Sequence, residues 1–177
     1  MFLLLALEGL TILRIGPLLS WHVAIGMVLV SVFIAKAAST FHRFSRYYLG
    51  DPAYRQKGPP PVALRLAGPF VVALTTVLLA SGIVLLYVPV AWRAPVLLVH
   101  KGSFVLWFGV MCLHVLGHFA ETVRRAPRDW VPGRARGLAG VGARRAATLL
   151  SVAVGAGLAA VVMPAASHYL SAGAVPH

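Results

Sequence analysis

The chain has 177 residues, of which 59% are hydrophobic and only 11% are charged. This composition excludes an ordinary water-soluble domain and indicates an integral membrane protein with room for four or five spanning helices of about 20 apolar residues each. The formal net charge of +12 would suit a nucleic-acid-binding protein, but the basic residues lie beside apolar segments. They indicate membrane topology and contact with anionic lipid headgroups, and no nucleic-acid partner is expected.

We predict one all-α membrane domain over residues 1–177, an up-and-down bundle of four to five transmembrane helices. Apolar segments separated by Pro, Gly and charged residues predict spans at about residues 1–15, 21–42, 68–88, 96–123 and 146–166. The third span is predicted to form a wall of the bundle, with Ser81 and Gly82 as a point of close packing. The segment PVAWRAP is predicted to be a short connection before the fourth span.

The first apolar segment is short. From Met1 to Leu13 it covers less than about 25 Å as a helix, whereas the hydrocarbon core is about 30 Å thick. A signal peptide would need a basic start and a small-residue cleavage site, and neither is visible. The first helix therefore either spans only part of the membrane or begins upstream of Met1.

The basic residues predict the orientation. Five of the sixteen lie between Arg43 and Arg65, and seven lie between Arg124 and Arg145. An up-and-down topology puts these two loops on one side, which the positive-inside rule makes cytoplasmic. We therefore expect a multi-pass protein of the bacterial inner (cytoplasmic) membrane, with the amino terminus inside and the carboxyl terminus outside.

The fourth predicted span carries three histidines, His100, His114 and His118, in an apolar run. On a helix, His100 and His114 are about 21 Å apart along the axis and about 40° apart around it, with Trp107 between them. Polar side chains are unfavourable in hydrocarbon and usually functional there, and neutral imidazole is a good axial ligand for haem iron. The alternative is that each histidine only hydrogen-bonds a neighbouring helix.

A weak internal repeat relates the two halves of the chain. A shift of 78 residues places His22 on His100 and Lys36 on His114, so the second and fourth spans are predicted to be parallel. Two axial imidazoles must come from facing helices at one depth, and His22 and His100 meet that condition. Gly26, one turn after His22, would leave room for a flat ligand.

Further along the fourth span, at the depth of His114, the second span offers no matching histidine. His114 and His118 project from the same face, so they cannot ligate one haem from opposite sides, and one of them has another role. Opposite His114 the second span offers Lys36, which either snorkels to the surface or pairs with a haem propionate. His42 points about 160° away from the His22 face and is predicted to be interfacial.

These residues resemble the membrane cytochrome b subunits of formate dehydrogenases and nickel-iron hydrogenases over about residues 1–125. The resemblance implies that His22 and His100 hold the outer haem. It also implies that His114 holds an inner haem with a partner from the first helix, and that partner has no counterpart in the chain. The resemblance therefore predicts upstream in-frame codons for the missing histidine, and two haems in the extended protein.

The sequence thus predicts a cytochrome subunit with one haem b, or two, rather than a stand-alone enzyme. The candidate cofactor-binding residues are His22, His100, His114 and His118, of which the first three are candidate iron ligands. Besides lipid, the expected partners are quinone and a redox enzyme or cytochrome on the outer face. The alternatives are a metal-binding or transport protein that uses the i, i+4 pair His114 and His118, and a structural anchor without a cofactor.

Overall fold

The computed structural model describes residues 1–55, 62–125 and 140–171, without the side chains of residues 54, 63–66, 118, 120–125, 170 and 171. The described part is all α-helical and contains no strand. Its elements are α1 (Phe2–Ile12), α2 (Ile15–Tyr48), α3 (Pro52–Arg55), α4 (Val62–Tyr87), α5 (Val90–Arg125) and α6 (Val141–Ser171).

Four of these helices are long and apolar enough to cross a membrane, which confirms the predicted all-α membrane bundle. Their candidate spans are Ile15–Tyr48, Ala67–Tyr87, Val90–Gly117 and Val141–Tyr169. Helix α1 has 11 residues and is about 16 Å long, which is less than the roughly 30 Å thickness of the hydrocarbon core. With 34 and 36 residues, α2 and α5 are about 50 Å long and extend beyond the hydrocarbon.

The structure corrects the predicted connection before the fourth span. Most of PVAWRAP belongs to the first turns of α5, and only Val88 and Pro89 separate α4 from α5. Pro95 lies inside the helix. Proline is tolerated in transmembrane helices. The backbone has no water to bond to in the hydrocarbon, so the chain stays helical and satisfies its hydrogen bonds internally. Pro69 and Pro164 lie inside α4 and α6 for the same reason.

The helices pack as two groups. Helix α2 packs along α6 and carries α1 on another side, while α4 and α5 pack against each other as a hairpin. We call the end of the bundle at which α2 and α5 begin, at Ile15 and Val90, the proximal end. The opposite end, at Tyr48 and Arg125, is the distal end. Because α2 and α5 start at the same end, they are parallel, as the repeat predicts.

Small residues bring α2 and α6 into close contact. A Cβ placed on Gly155 would lie 2.6 Å from the Cα of Val28, so only glycine fits there. Beside it the Ser31 hydroxyl bonds the carbonyl of Ser151 at 2.5 Å. Close approach through small residues, with polar side chains as bridges, is typical of membrane helices. Helices α2 and α5 do not approach each other in this way: in the described residues no Cα of α2 lies within 8 Å of a Cα of α5.

Candidate functional site

A cavity of about 650 Å³ occupies the space between α2 and α5. Helix α1 covers one side of this cavity and α4 another, and Tyr169 of α6 reaches its wall. A volume of this size lies in the range of about 300–1,000 Å³ found for small-molecule and cofactor sites. The lining side chains are mostly apolar, and the two histidines His22 and His100 are among the few polar ones.

The His22 ring is held from α1. Its Nδ1 atom lies 2.8 Å from the Thr11 hydroxyl and 3.2 Å from Oε1 of Glu8. The Thr11 hydroxyl bonds the backbone carbonyl of Glu8 at 2.6 Å, and this bond uses its one proton. Thr11 therefore accepts a hydrogen bond from Nδ1–H of His22, which assigns the proton of a neutral ring to Nδ1.

The His100 ring is held in the same way from α4. Its Nδ1 lies 3.1 Å from the Ser81 hydroxyl and 3.1 Å from the carbonyl oxygen of Leu78. A carbonyl only accepts hydrogen bonds, so Nδ1 of His100 is the donor. Gly82 permits this position, because a Cβ there would lie 3.1 Å from Cε1 of the ring.

The two histidines are thus a matched pair. In each case a hydroxyl that donates to the carbonyl three residues before it accepts Nδ1–H of the ring. A neutral imidazole with its proton on Nδ1 keeps the lone pair of Nε2 for coordination. Metal-ligating histidines almost always donate their other ring N–H to a neighbouring acceptor, which fixes the tautomer and the ring direction. His22 and His100 share this feature of metal ligands, since Nδ1 of each ring is bonded to a neighbouring hydroxyl.

The distance between the rings also suits one metal. Their centroids are 6.4 Å apart and their planes are nearly perpendicular, at 89°. An imidazole nitrogen binds a transition metal at about 2.0–2.1 Å and lies about 1.1 Å from its ring centroid, so two imidazoles on opposite sides of one metal have centroids roughly 6.3 Å apart. The observed spacing matches that of a pair of axial ligands, and it also matches an ordinary edge contact between two aromatic rings.

Trp107 forms the wall next to this pair. It is 7% exposed, lines the cavity, and donates its indole N–H to the Thr75 hydroxyl at 2.8 Å. Thr75 in turn bonds the carbonyl of Val71 at 2.6 Å. Helix α4 therefore holds two of the rings of α5 that line the cavity, His100 through Ser81 and Trp107 through Thr75. These two side chains of the cavity wall are thus held in place by hydrogen bonds within the protein.

The residues that hold the rings were not predicted as site residues. Thr11 and Glu8 interrupt an otherwise apolar segment, and Ser81 was assigned only to close packing. A hydroxyl or carboxyl group inside an apolar span is the signal that could have identified them. The space expected beside Gly26 for a flat ligand is partly filled by Glu8. Gly26 lines the cavity, but a Cβ on it would lie 3.3 Å from Oε1 of Glu8.

The inner level is described only in part. His114 is partly buried on α5, near Met111 and Val115, which line the cavity. The register of α2 relative to α5 places Lys36, rather than an imidazole, at the matching position of α2. His42 is exposed near the end of α2, and the His118 side chain lies outside the described part of the chain. The structure therefore brings together His22 and His100, while the partner of His114, which was predicted to lie upstream of Met1, stays a prediction.

No protein family matches the chain, and no curated protein or solved structure is significantly similar to it.

Proposed function

We propose that the protein is a membrane cytochrome in which His22 and His100 ligate the iron of one haem b between α2 and α5. The observation that carries this proposal is the pair of facing rings, 6.4 Å apart, each with Nδ1 bonded to a hydroxyl from a different neighbouring helix. Both rings line the same apolar cavity, and their Nδ1 atoms are already bonded. Two imidazoles in one apolar cavity suit a flat, apolar cofactor with a metal at its centre.

The number of ligands favours haem over a bare metal ion. A porphyrin supplies four nitrogen ligands, so two histidines complete the coordination of its iron. A bare zinc ion is usually held by three or four protein ligands. Within residues 1–55, 62–125 and 140–171, no three or more His, Cys, Asp or Glu side chains are grouped to hold a metal ion. The alternative site at His114 and His118 includes a side chain outside that description.

Bound haem b would supply reversible one-electron exchange at its iron. The residues of the chain supply the rest. Thr11 and Ser81 fix the orientation of both ligand rings, since each accepts Nδ1–H and thereby leaves Nε2 for coordination. The walls, with Trp107 and Phe104 among them, surround the site with apolar side chains. Two imidazoles bound to one haem iron would give a low-spin site suited to electron transfer rather than to binding of an exogenous ligand.

The position of the proposed haem inside a membrane bundle suggests which molecules exchange electrons with it. A haem held inside four membrane-crossing helices is accessible from the lipid, where quinone is the mobile carrier, and from the membrane surface nearest to it. We propose that the chain passes electrons between quinone and a redox enzyme or cytochrome that docks at the proximal end. The distribution of basic residues supports an orientation with the proximal end on the outer side of the cytoplasmic membrane.

The optical spectrum of the purified full chain tests the proposal. A reduced-minus-oxidised spectrum should show sharp b-type bands, and pyridine haemochrome quantitation should give one haem per chain. His22→Ala and His100→Ala should each abolish the low-spin signal. His168→Ala is the matched control, because His168 is an exposed histidine of α6 and should leave the spectrum unchanged.

The other outcomes separate the alternatives. Retention of a full bis-histidine spectrum in both single variants would refute the ligand pair. A colourless protein with stoichiometric zinc or copper would support a metal-binding or transport function. A colourless protein without metal would leave the structural anchor. Two haems per chain would show that His114 also has a haem and a second ligand within this sequence.

A further inference from the structure

A cationic side chain lies beside a residue of the cavity wall near the proximal end. The guanidinium of Arg93, on α5, lies over the ring of Tyr169, on α6, with 4.6 Å from Cζ to the ring centroid. No Cα of α5 lies within 8 Å of α6 in the described residues, so Arg93 reaches Tyr169 across open space between the two helices. Tyr169 is 8% exposed and is part of the cavity wall. The guanidinium therefore lies against a side chain that forms part of the cavity wall.

Arg93 lacks an anionic partner on the described helices. Its Nε atom is buried and makes no hydrogen bond. Of the carboxylates on these helices, Glu8 contacts His22, and Asp51 pairs with Arg46 beyond the distal end of α2. Glu121 lies 28 residues further along α5 than Arg93, about 42 Å away. A buried guanidinium donor without an acceptor is unfavourable, so this position suits an anion from outside the chain.

The position of Arg93 relative to His100 identifies the anion. Arg93 precedes His100 by seven residues, so the two side chains project from nearly the same face of α5, with Arg93 about 10 Å nearer the proximal end. A ligand that is coordinated by His100 and reaches Arg93 must be apolar at its centre and acidic at one edge. Haem b has this form, since its two propionate carboxylates leave the macrocycle on one side.

We propose that Arg93, seated on Tyr169, binds a carboxylate of the cofactor and so sets which edge of the haem faces the proximal end. This rests on the proposed haem function and adds the residue that orients the group. Arginine suits the task because its planar guanidinium both stacks on an aromatic ring and donates two parallel hydrogen bonds to a carboxylate. An anionic lipid headgroup would offer the same chemistry from another source.

The test compares haem with its dimethyl ester, which lacks both carboxylates but keeps the macrocycle and iron. The full chain, produced without haem and placed in phosphatidylcholine nanodiscs, is titrated with each compound, and the low-spin absorbance gives the dissociation constant. Arg93→Gln should weaken binding of haem by about 10-fold or more. It should change binding of the ester by less than about twofold, because the interacting carboxylate is already absent. Arg93→Lys should recover part of the loss.

The matched control is Arg14→Gln, an exposed cation at the proximal start of α2, which should bind both compounds like the unmodified chain. The unmodified chain itself should bind the ester more weakly than haem, a result that needs no substitution. If Arg93→Gln weakens haem and ester equally, or neither, the carboxylate site is refuted. A loss that occurs only with phosphatidylglycerol in the nanodisc, and with both compounds, would assign Arg93 to lipid and refute it too. Failure of the unmodified chain to bind either compound would instead refute the haem function itself.

Discussion

Replacing Gly155 by alanine should loosen α6 from α2. The new Cβ would lie 2.6 Å from the Cα of Val28 and 2.5 Å from the Ser31 hydroxyl oxygen. Ordinary contact begins at about 3.4 Å, so the two helices would have to separate by roughly 0.8 Å at this point. A backbone atom cannot turn aside as a flexible side chain can. The separation would also stretch the hydrogen bond from Ser31 to the carbonyl of Ser151.

The expected loss can be estimated from three contributions. Overpacking of this kind destabilises by about 1–3 kcal/mol. An interhelical hydrogen bond in a membrane protein contributes about 0.6 kcal/mol. Against these, alanine is favoured over glycine in a helix by up to about 1 kcal/mol. Gly157→Ala isolates the packing effect, because a Cβ on Gly157 meets no atom within 4 Å and the propensity gain is the same.

The two variants should therefore differ in free energy of unfolding by about 1.5–3.5 kcal/mol, with Gly155→Ala the less stable. Unfolding by SDS in mixed micelles, followed by the loss of helical circular dichroism, measures the difference. The close approach of α2 and α6 at this site would be contradicted by equal midpoints for the two variants.

Two further predictions concern the site and the topology. Thr11→Val removes the hydroxyl that accepts Nδ1–H of His22 and should weaken haem binding by about 10–100-fold. Thr76→Val, which removes an exposed hydroxyl bonded only within its own helix, is the control, and equal haem affinity in both variants would argue against the role of Thr11. Single cysteines at positions 54 and 130, in place of Tyr54 and Trp130, should resist an impermeant thiol reagent in intact cells. Labelling of both would invert the proposed orientation.

Hydropathy predicted where the chain crosses the membrane better than where its helices end. The second span was predicted at 21–42, but α2 runs from Ile15 to Tyr48. Helical hydrogen bonding continues into the polar zone, where hydropathy gives no signal. Pro17 was expected to end a segment, yet it lies in the first turn of α2. Proline is tolerated there, because the missing N–H would have no intrahelical partner.

The predicted register between the two histidine helices depends on local properties alone. Apolar length sets the number of crossings, and alternation of direction makes α2 and α5 parallel. A constant rise along each helix then brings His22 and His100 to the same depth. The positions of the two rings along the bundle could therefore be derived from residue spacing without knowledge of any contact.

The sequence could not predict which side chains hold the rings of His22 and His100, or that Arg93 contacts Tyr169. Thr11 accepts from His22 only because α1 folds back along α2, and Ser81 accepts from His100 only because α4 presents that face to α5. Arg93 meets Tyr169, 76 residues later in the chain, across the end of a cavity that exists because α2 and α5 stay apart. Such contacts depend on the rotation of each helix about its axis and on which neighbours it packs against. Side-chain packing over the whole bundle decides these two quantities, and the periodicity of one segment does not contain them.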